Sequence, residues 1–256
     1  MSGRSLILLG GGGHAAVVAE SARTAGWSVA GYLDDDDHSP EAAAIDLARL
    51  GSIQDLAEAL AMLPQTRDRP AVAHAAVGDP ALRRRWTAAI GHAAARPIIH
   101  VTAVISPSAT LDDAVFVGPG AIINARAVIN RGAIVNSGAI VEHDCVLGAF
   151  CHLAPGAALG GGAALGEETL VGINALVLPG VRIGARSTLG AGAVAVTDLA
   201  DGTTATGNPA RPKVATGVGD YTVYALSPDN PTTPVSVGPY TVPADSEVTA
   251  ADLVIP

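Results

Sequence analysis

Aromatic side chains are scarce in this chain of 256 residues, at 3% of the sequence. Nearly half the residues, 49%, are nonetheless apolar. The core must therefore be built from Ala, Val, Leu and Ile, which suits thin, regular layers and excludes a core of large rings. Lysine occurs once, as Lys213, and Asp plus Glu outnumber Lys plus Arg by 24 to 15. That balance argues against a nucleic-acid binder, which needs a basic face for the phosphates. There are two cysteines, Cys145 and Cys151, so a disulfide framework is excluded. No apolar run reaches the roughly 18 residues of a membrane span. No signal peptide opens the chain, so a cytoplasmic protein with no membrane partner is expected.

What the chain has instead is a period of six. From Ile105 every sixth residue is aliphatic: Leu111, Val117, Ile123, Ile129, Val135, Val141 and so on to Leu189, with Ala195 a weaker continuation. Four places after each stands a residue that is nearly always small, such as Ala121, Ala127, Ala133, Cys145 or Cys151. Short fixed periods mark stacked repeats, and a hexad marks a parallel β-helix. In a strand, residues two apart face the same side. The small residue and the aliphatic one that follows it therefore point inward together, the large one filling a prism and the small one letting the chain turn. Three hexads make a triangular coil. At about 4.8 Å per layer, some five coils give a prism about 25 Å long. A helix is excluded by the period and by the frequency of glycine. The two cysteines occupy inward places on successive hexads, hence on different faces, and read as reduced packing residues. Ile122, Val128, Ile134 and Ile140 alternate with the inward series. They are expected to form an exposed apolar stripe that another subunit covers.

Residues 5–97 alternate differently. Leu6–Leu9 reads as a strand, His14–Ala25 as a helix, Val29–Leu33 as a strand, Ile53–Met62 as a helix, Ala71–Val77 as a strand, and a last helix runs to about Ala95. This is a βαβαβ pattern, a small parallel sheet with helices on its faces, or half of a Rossmann fold. The expected organisation is an α/β domain over 1–97, a parallel β-helix over 98–216, and a tail over 217–256. The tail has six prolines and no Lys or Arg, and reads as extended segments without a core.

Two constellations carry chemistry. Gly10-Gly11-Gly12-Gly13 lies where the first strand gives way to a helix, and Gly10-x-Gly12-x-x-Ala15 approximates the dinucleotide fingerprint. Glycines there let the backbone approach a phosphate at the helix N-terminus. Asp34 ends the next strand, where an acid can meet a ribose or a base. Gly78, Asp79 and Arg83 follow the third strand at the same sheet edge and could line the same pocket. A tight turn without a ligand, and a solvated Arg83-Arg84-Arg85 face, are the structural alternatives. The second constellation is Glu142-His143-Asp144, after the inward Val141 and so at an outer corner of the prism. A His flanked by carboxylates can accept a proton while a neighbour fixes its tautomer, as a general base requires. A solvated corner histidine is the alternative. His152, nine residues on, is placed at another corner. These two are the only histidines of the repeat and lie half a coil apart, so no metal site is expected.

Together, Gly10–His14, Asp34-Asp35, Ile105-Ser106-Pro107-Ser108-Ala109, Glu142-His143-Asp144-Cys145, Gly172-Ile173-Asn174 and Gly207-Asn208-Pro209-Ala210 resemble the hexapeptide-repeat sugar acyltransferases. This family includes sialic acid O-acetyltransferases and the N-acetyltransferases of nucleotide-linked 4-amino-4,6-dideoxy sugars. The resemblance spans about residues 5–213. It implies a left-handed β-helix, a homotrimer with active sites between prisms, acetyl-CoA along the prism, and a UDP- or GDP-sugar held by the N-terminal domain. It makes His143 the base, Asp144 its orienting partner, and His152 a neighbour of the acetyl group from the next subunit. Backbone groups at Gly161, Ile173 and Ala191 would meet the CoA arm; relatives often have glycine at the last. Gly12, Gly13, His14, Asp34, Asp35, Gly78 and Arg83 would hold the nucleotide sugar. Arg182, Arg186, Arg211 and Lys213 gather near the C-terminal end of the prism on an otherwise acidic chain and suit the CoA phosphates. N-acetylation of a nucleotide amino sugar is the expected activity. O-acetylation of a free sugar acid, and a non-catalytic trimeric scaffold, are the rivals.

Overall fold

A computed structural model describes residues 4–37, 39–64, 70–93, 96–213, 220–227 and 230–241. The chain forms two compact units, Met1–Lys213 and Val214–Pro256. The first begins with a four-stranded parallel sheet of β1 (Ser5–Leu9), β2 (Ser28–Leu33), β3 (Arg49–Gly51) and β4 (Val72–Ala75), in the order β3-β2-β1-β4. Among the described residues four α-helices accompany it: α1 (Gly13–Thr24), α2 (Pro40–Ala43), α3 (Leu56–Met62) and α4 (Pro80–Ile90). The central β1 is buried on both faces, as parallel strands covered by helices are. Leu6 and Leu8 pack with Ala15, Val18 and Ala19 of α1, while Ile7 and Leu9 pack with Leu56 of α3 and Trp86 and Ile90 of α4. The βαβαβ pattern omitted β3 and α2. Both are short, and neither carries enough apolar periodicity to stand out from a turn.

The hexads form a left-handed parallel β-helix with three faces. The first face stacks Ile98–Ile99, Phe116–Val117, Ile134–Val135, His152–Leu153, Leu170–Val171 and Thr188–Leu189. The second stacks Val104–Ile105, Ile122–Ile123, Ile140–Val141, Ala158–Leu159, Leu176–Val177 and Val194–Ala195. The third runs from Thr110–Leu111 through Val128–Ile129, Val146–Leu147 and Ala164–Leu165 to Arg182–Ile183. In each strand the second residue is the inward aliphatic. Val117, Val135, Val141, Leu147, Leu153, Leu159, Val171 and Leu189 are fully buried, together with the small residues Ala121, Ala127, Ala133, Ala139, Cys145 and Cys151. Burying one such Val or Leu is worth about 1.5–3 kcal/mol. The prism starts one hexad before Ile105, with Ile98–Ile99 paired to Phe116–Val117.

The expected apolar stripe is corrected by this geometry. Ile122, Val128, Ile134 and Ile140 are six apart and so fall on the second, third, first and second faces in turn. Ile134 is covered: with Ile98 and Phe116 it joins the core beneath α1, so the N-terminal domain sits on the first face. Outward columns repeat every third hexad. The second face presents Val104, Ile122, Ile140, Leu176 and Val194, with Val104 62% and Leu176 42% exposed.

The second unit contains an antiparallel pair of strands, Asp220–Ser227 with Asn230–Thr241. Tyr221, Val223, Tyr224 and Leu226 lie in its first strand.

Candidate active site

The corners joining the second face to the third form a column: 106–109, 124–127, 142–145, 160–163 and 178–181. Each turns on its third residue, which takes positive φ in Arg126, Asp144, Gly162 and Gly180. Ala114, Phe150, Glu168, Asn174 and Arg186 take the same conformation at other corners, so the prism's turn imposes it whatever the residue. His143 precedes Asp144. Its Nδ1 lies 2.8 Å from Asp144 Oδ2. The same carboxylate takes a two-pronged contact from Arg126, one coil back, with Nε to Oδ1 at 2.7 Å and Nη2 to Oδ2 at 2.8 Å. Arg126 first, and His143 second, hold the Asp144 carboxyl well below the usual carboxylate range. An ionised carboxylate only accepts, so Nδ1 of His143 carries a proton, and it is Nε2 that bears the lone pair in the neutral ring. The imidazole lies over Gly161 of the next corner. A Cβ there would sit 2.6 Å from both Nε2 and Cε1, so glycine alone leaves room for the ring.

The glycine loop forms a second centre. Gly10 has φ +105°, and a Cβ on it would press on the Ala76 carbonyl at 3.1 Å and on Trp86. A Cβ on Gly11 would come 2.5 Å from Ser39 Oγ. Gly12 caps α1, and Cβ atoms on Gly12 or Gly13 would meet nothing within 4 Å. The loop therefore opens at the helix N-terminus, where main-chain N–H groups lack intrahelical partners. Asp34 braces the loop: Oδ2 accepts from Gly11 N–H at 2.8 Å and Oδ1 from Asp36 N–H at 3.1 Å. Asp35 Oδ1 accepts from Ile53 N–H at 3.1 Å.

Two expectations change here. His152 is not at a corner: it points outward from a strand of the first face and is covered by the N-terminal domain. Nδ1 lies 3.1 Å from the Gly78 carbonyl, and Nε2 lies 3.1 Å from Asn136 Nδ2. A carbonyl only accepts, so Nδ1 donates and Nε2 receives the Asn136 amide proton. Both nitrogens are engaged, and burial, aided by Arg83, pushes the imidazole down to about 4. Arg83 does not line an open pocket. It is 1% exposed, and its donors go to five carbonyls: Nε to Gly132, Nη1 to Val77 and Gly78, Nη2 to Phe150 and Cys151. A guanidinium has five N–H groups, so none is left for a ligand. Arg83 staples the loop after β4 to two corners of the prism, and Arg84, stacked on Phe150 and paired with Glu167 and Glu168, adds to that seam.

The structure thus brings His14, Gly78, Arg83 and His152 together between the sheet and the first face, with the His14 and His152 rings 6.1 Å apart. His143, Asp144 and Gly161 form a separate group on the corner column. Ile173, 54% exposed, and Ala191 stack at the other edge of the second face, and Arg211 and Lys213 are exposed at the end of the prism. The cysteine thiols donate to Gly160 and Gly166 carbonyls, and burial pushes both up, Cys151 to about 12. Neither is a nucleophile near neutral pH. Among the described residues, no three His, Cys, Asp or Glu are grouped to hold a metal, and no helix is long and apolar enough to cross a membrane. Sequence reasoning missed Arg126 and Asn136. Aligning the hexads by coils of three puts Arg126 directly beneath Asp144.

A stacked-hexad prism with an oriented, open histidine, joined to a glycine-loop domain, defines an acyltransferase with a nucleotide-type substrate domain. Residues 5–94 match the family model of the PglD N-terminal domain. GDP-perosamine N-acetyltransferase (PerB) of Caulobacter crescentus, crystallised with CoA and GDP-perosamine, is 39% identical with a TM-score of 0.74. The match covers 82% of this chain and 97% of that one. The acetyltransferase domain of PglB from Neisseria gonorrhoeae FA1090, in complex with acetyl coenzyme A, is 35% identical with a TM-score of 0.72, over 83% and 100% of the two chains. No curated protein sequence matches. The chain belongs to the hexapeptide-repeat sugar acyltransferases that carry a PglD N-terminal domain.

Proposed function

We propose that the protein transfers the acetyl group of acetyl-CoA to the amine of a UDP- or GDP-linked 4-amino-4,6-dideoxy sugar. The observation that carries this reading is the His143 geometry: an exposed imidazole whose tautomer leaves Nε2 free, beside a glycine that clears space for it. The likeness to an enzyme crystallised with CoA and GDP-perosamine supports the substrate class. The sugar nitrogen attacks the thioester carbonyl and forms the C–N bond. Nε2 of His143 takes the amine proton, the C–S bond breaks, and CoA leaves as a thiolate that collects a proton. Backbone N–H groups stabilise the oxyanion. His152 of the neighbouring subunit, with both nitrogens occupied, takes a positioning part near the acetyl group. Gly12 and Gly13 offer main-chain N–H groups to the diphosphate, with His14, Asp35 and the braced Asp34 around them. Gly161, Ile173 and Ala191 follow the CoA arm, and Arg211 and Lys213 meet its phosphates.

Purified protein given acetyl-CoA and a panel of nucleotide amino sugars should release free thiol with at least one UDP- or GDP-linked 4-amino sugar. Gly12→Leu should weaken that substrate's binding by calorimetry. Turnover of free sialic acid alone would replace this reading with O-acetylation, and no turnover of any sugar would favour a scaffold.

The same reading makes the protein a homotrimer. The apolar column of the second face adjoins the His143 corner, and a second copy covering it would also roof the site. Sedimentation at micromolar concentration should show a species of three chains; a stable monomer would undo the shared site.

A further inference from the structure

Arg126 is exposed, yet it is held at both ends. Its main-chain N–H donates to Ser108 Oγ at 3.1 Å, one coil back. Its side chain reaches one coil forward to both oxygens of Asp144, whose own N–H donates to the Ala125 carbonyl at 3.0 Å. Both residues sit in the left-handed conformation, stacked at the same corner position. The stability gained is small: the side chains are 64% and 44% exposed, and water screens ion pairs of that kind. The pair's consequence is directional. Oδ2 of Asp144 takes Nη2 of Arg126 and Nδ1 of His143 at once, at 2.8 Å each, so the guanidinium plane fixes the carboxylate that fixes the imidazole.

The charged groups of the column are few. Corners 106–109, 160–163 and 178–181 carry none, leaving Arg126, Glu142 and Asp144 around His143. Two carboxylates with no cation would favour imidazolium and so occupy the base with a proton before the amine arrives. Arg126 supplies the opposing charge.

We propose that Arg126 is a positioning residue of the acyl transfer, acting through Asp144 to hold His143 in the Nδ1–H tautomer with Nε2 unprotonated and aimed outward. This rests on His143 as the base. Losing Arg126 and losing Asp144 should then move the reaction's pH dependence in opposite directions, which a merely structural pair would not do. In Arg126→Gln the acid limb of kcat/KM should move up by about half a pH unit, and in Asp144→Asn down by a similar amount, as expected for one charge removed near a half-solvated site. At neutral pH Arg126→Gln should lower kcat by about five- to twentyfold, with both KM values within about twofold. Arg126→Lys keeps the charge without the two-pronged contact, so it should restore the limb but only part of kcat. The double variant should be no slower than Asp144→Asn alone. An Arg126→Gln enzyme with unchanged kcat and limb, measured beside an inactive His143→Ala, overturns the proposal and leaves the base assignment standing. A raised KM for acetyl-CoA with an unmoved limb also overturns it, by making Arg126 a contact for CoA. If Arg126→Gln does not fold, the kcat of Arg126→Lys and the limb of Asp144→Asn decide; an unchanged kcat in the first with an unmoved limb in the second is a refutation. An active His143→Ala fails the base assignment itself.

Discussion

His143→Ala should lower kcat by about two orders of magnitude or more, the range of a lost general base. The fold should survive. The side chain is 58% exposed and projects from the prism, and what it gives the coil is its carbonyl, which accepts from Gly162 N–H at 2.8 Å and remains in the variant. KM for the nucleotide sugar should change little, because the glycine loop that would hold the diphosphate is elsewhere. Gly161→Ala offers an independent arm. It leaves His143 in the chain but sets a methyl 2.6 Å from Nε2 and Cε1 in the present geometry, so the ring must swing off the Asp144 contact. Much of the same kcat loss should follow, with an unchanged melting temperature. Activity of both variants within a few-fold of wild type, in a thiol-release assay, would remove His143 from the mechanism.

The unequal legibility of this chain has a physical cause. The prism could be read because each hexad repeats one local rule: an inward aliphatic, an inward small residue, a turn. Leu153 and Ala157 are buried for reasons contained within a few residues. The glycine loop could be read for the same reason, since strand, glycines and helix are contiguous. What failed depended on the hexad register around the prism or on contacts between coils and between domains. The stripe through Ile122, Val128, Ile134 and Ile140 dissolved because spacing by six walks around the prism and not along it. Arg83 lies in a run of three arginines, and nothing local separates it from Arg84 or Arg85. Only the tertiary fold gives it carbonyls at Gly132, Phe150 and Cys151, more than forty residues away. His152 was misplaced at a corner although the hexad register puts it immediately before the inward Leu153, on a strand. Its burial, in contrast, depends on a domain whose docking face no repeat announces. The contact between His143 and Asp144 was legible because the two are neighbours in the chain.

That buried seam should make the protein begin to lose stability at a pH well above that at which carboxylates protonate. His14, His74 and His152 lie between the sheet and the first face, near Arg83. Burial, reinforced by Arg83, pushes His14 and His74 down to about 3 and His152 to about 4, from an ordinary value of 6.5. In the folded chain these rings therefore bind protons only near pH 3 to 4. In the unfolded chain they bind them from about 6.5 downward. Between those limits the unfolded state holds more protons, so stability rises with pH across the window. It is complete above about 6.5 and is lost progressively as pH falls toward 4. Each ring contributes a slope of up to about 1.4 kcal/mol per pH unit, so three approach about 4 kcal/mol per unit in mid-window. Against a typical stability of about 5–15 kcal/mol, that is enough to unfold the first unit between about pH 5 and 4. Asp144, held low by Arg126, adds a contribution that is lost as pH falls from the ordinary carboxylate value of 3.8 downward, so it begins only at the foot of this window. Urea midpoints measured from pH 7.5 to 4.5 should hold nearly constant above pH 6.5 and then drop steeply. His74→Leu should flatten the drop by about a third of its slope, one ring of the three. His74 is the informative position: it is wholly buried on β4, and neither of its ring nitrogens has a partner among the described residues. A midpoint that stays level down to pH 4.5 would mean that the seam admits protons without opening, and this account of its stability would be wrong.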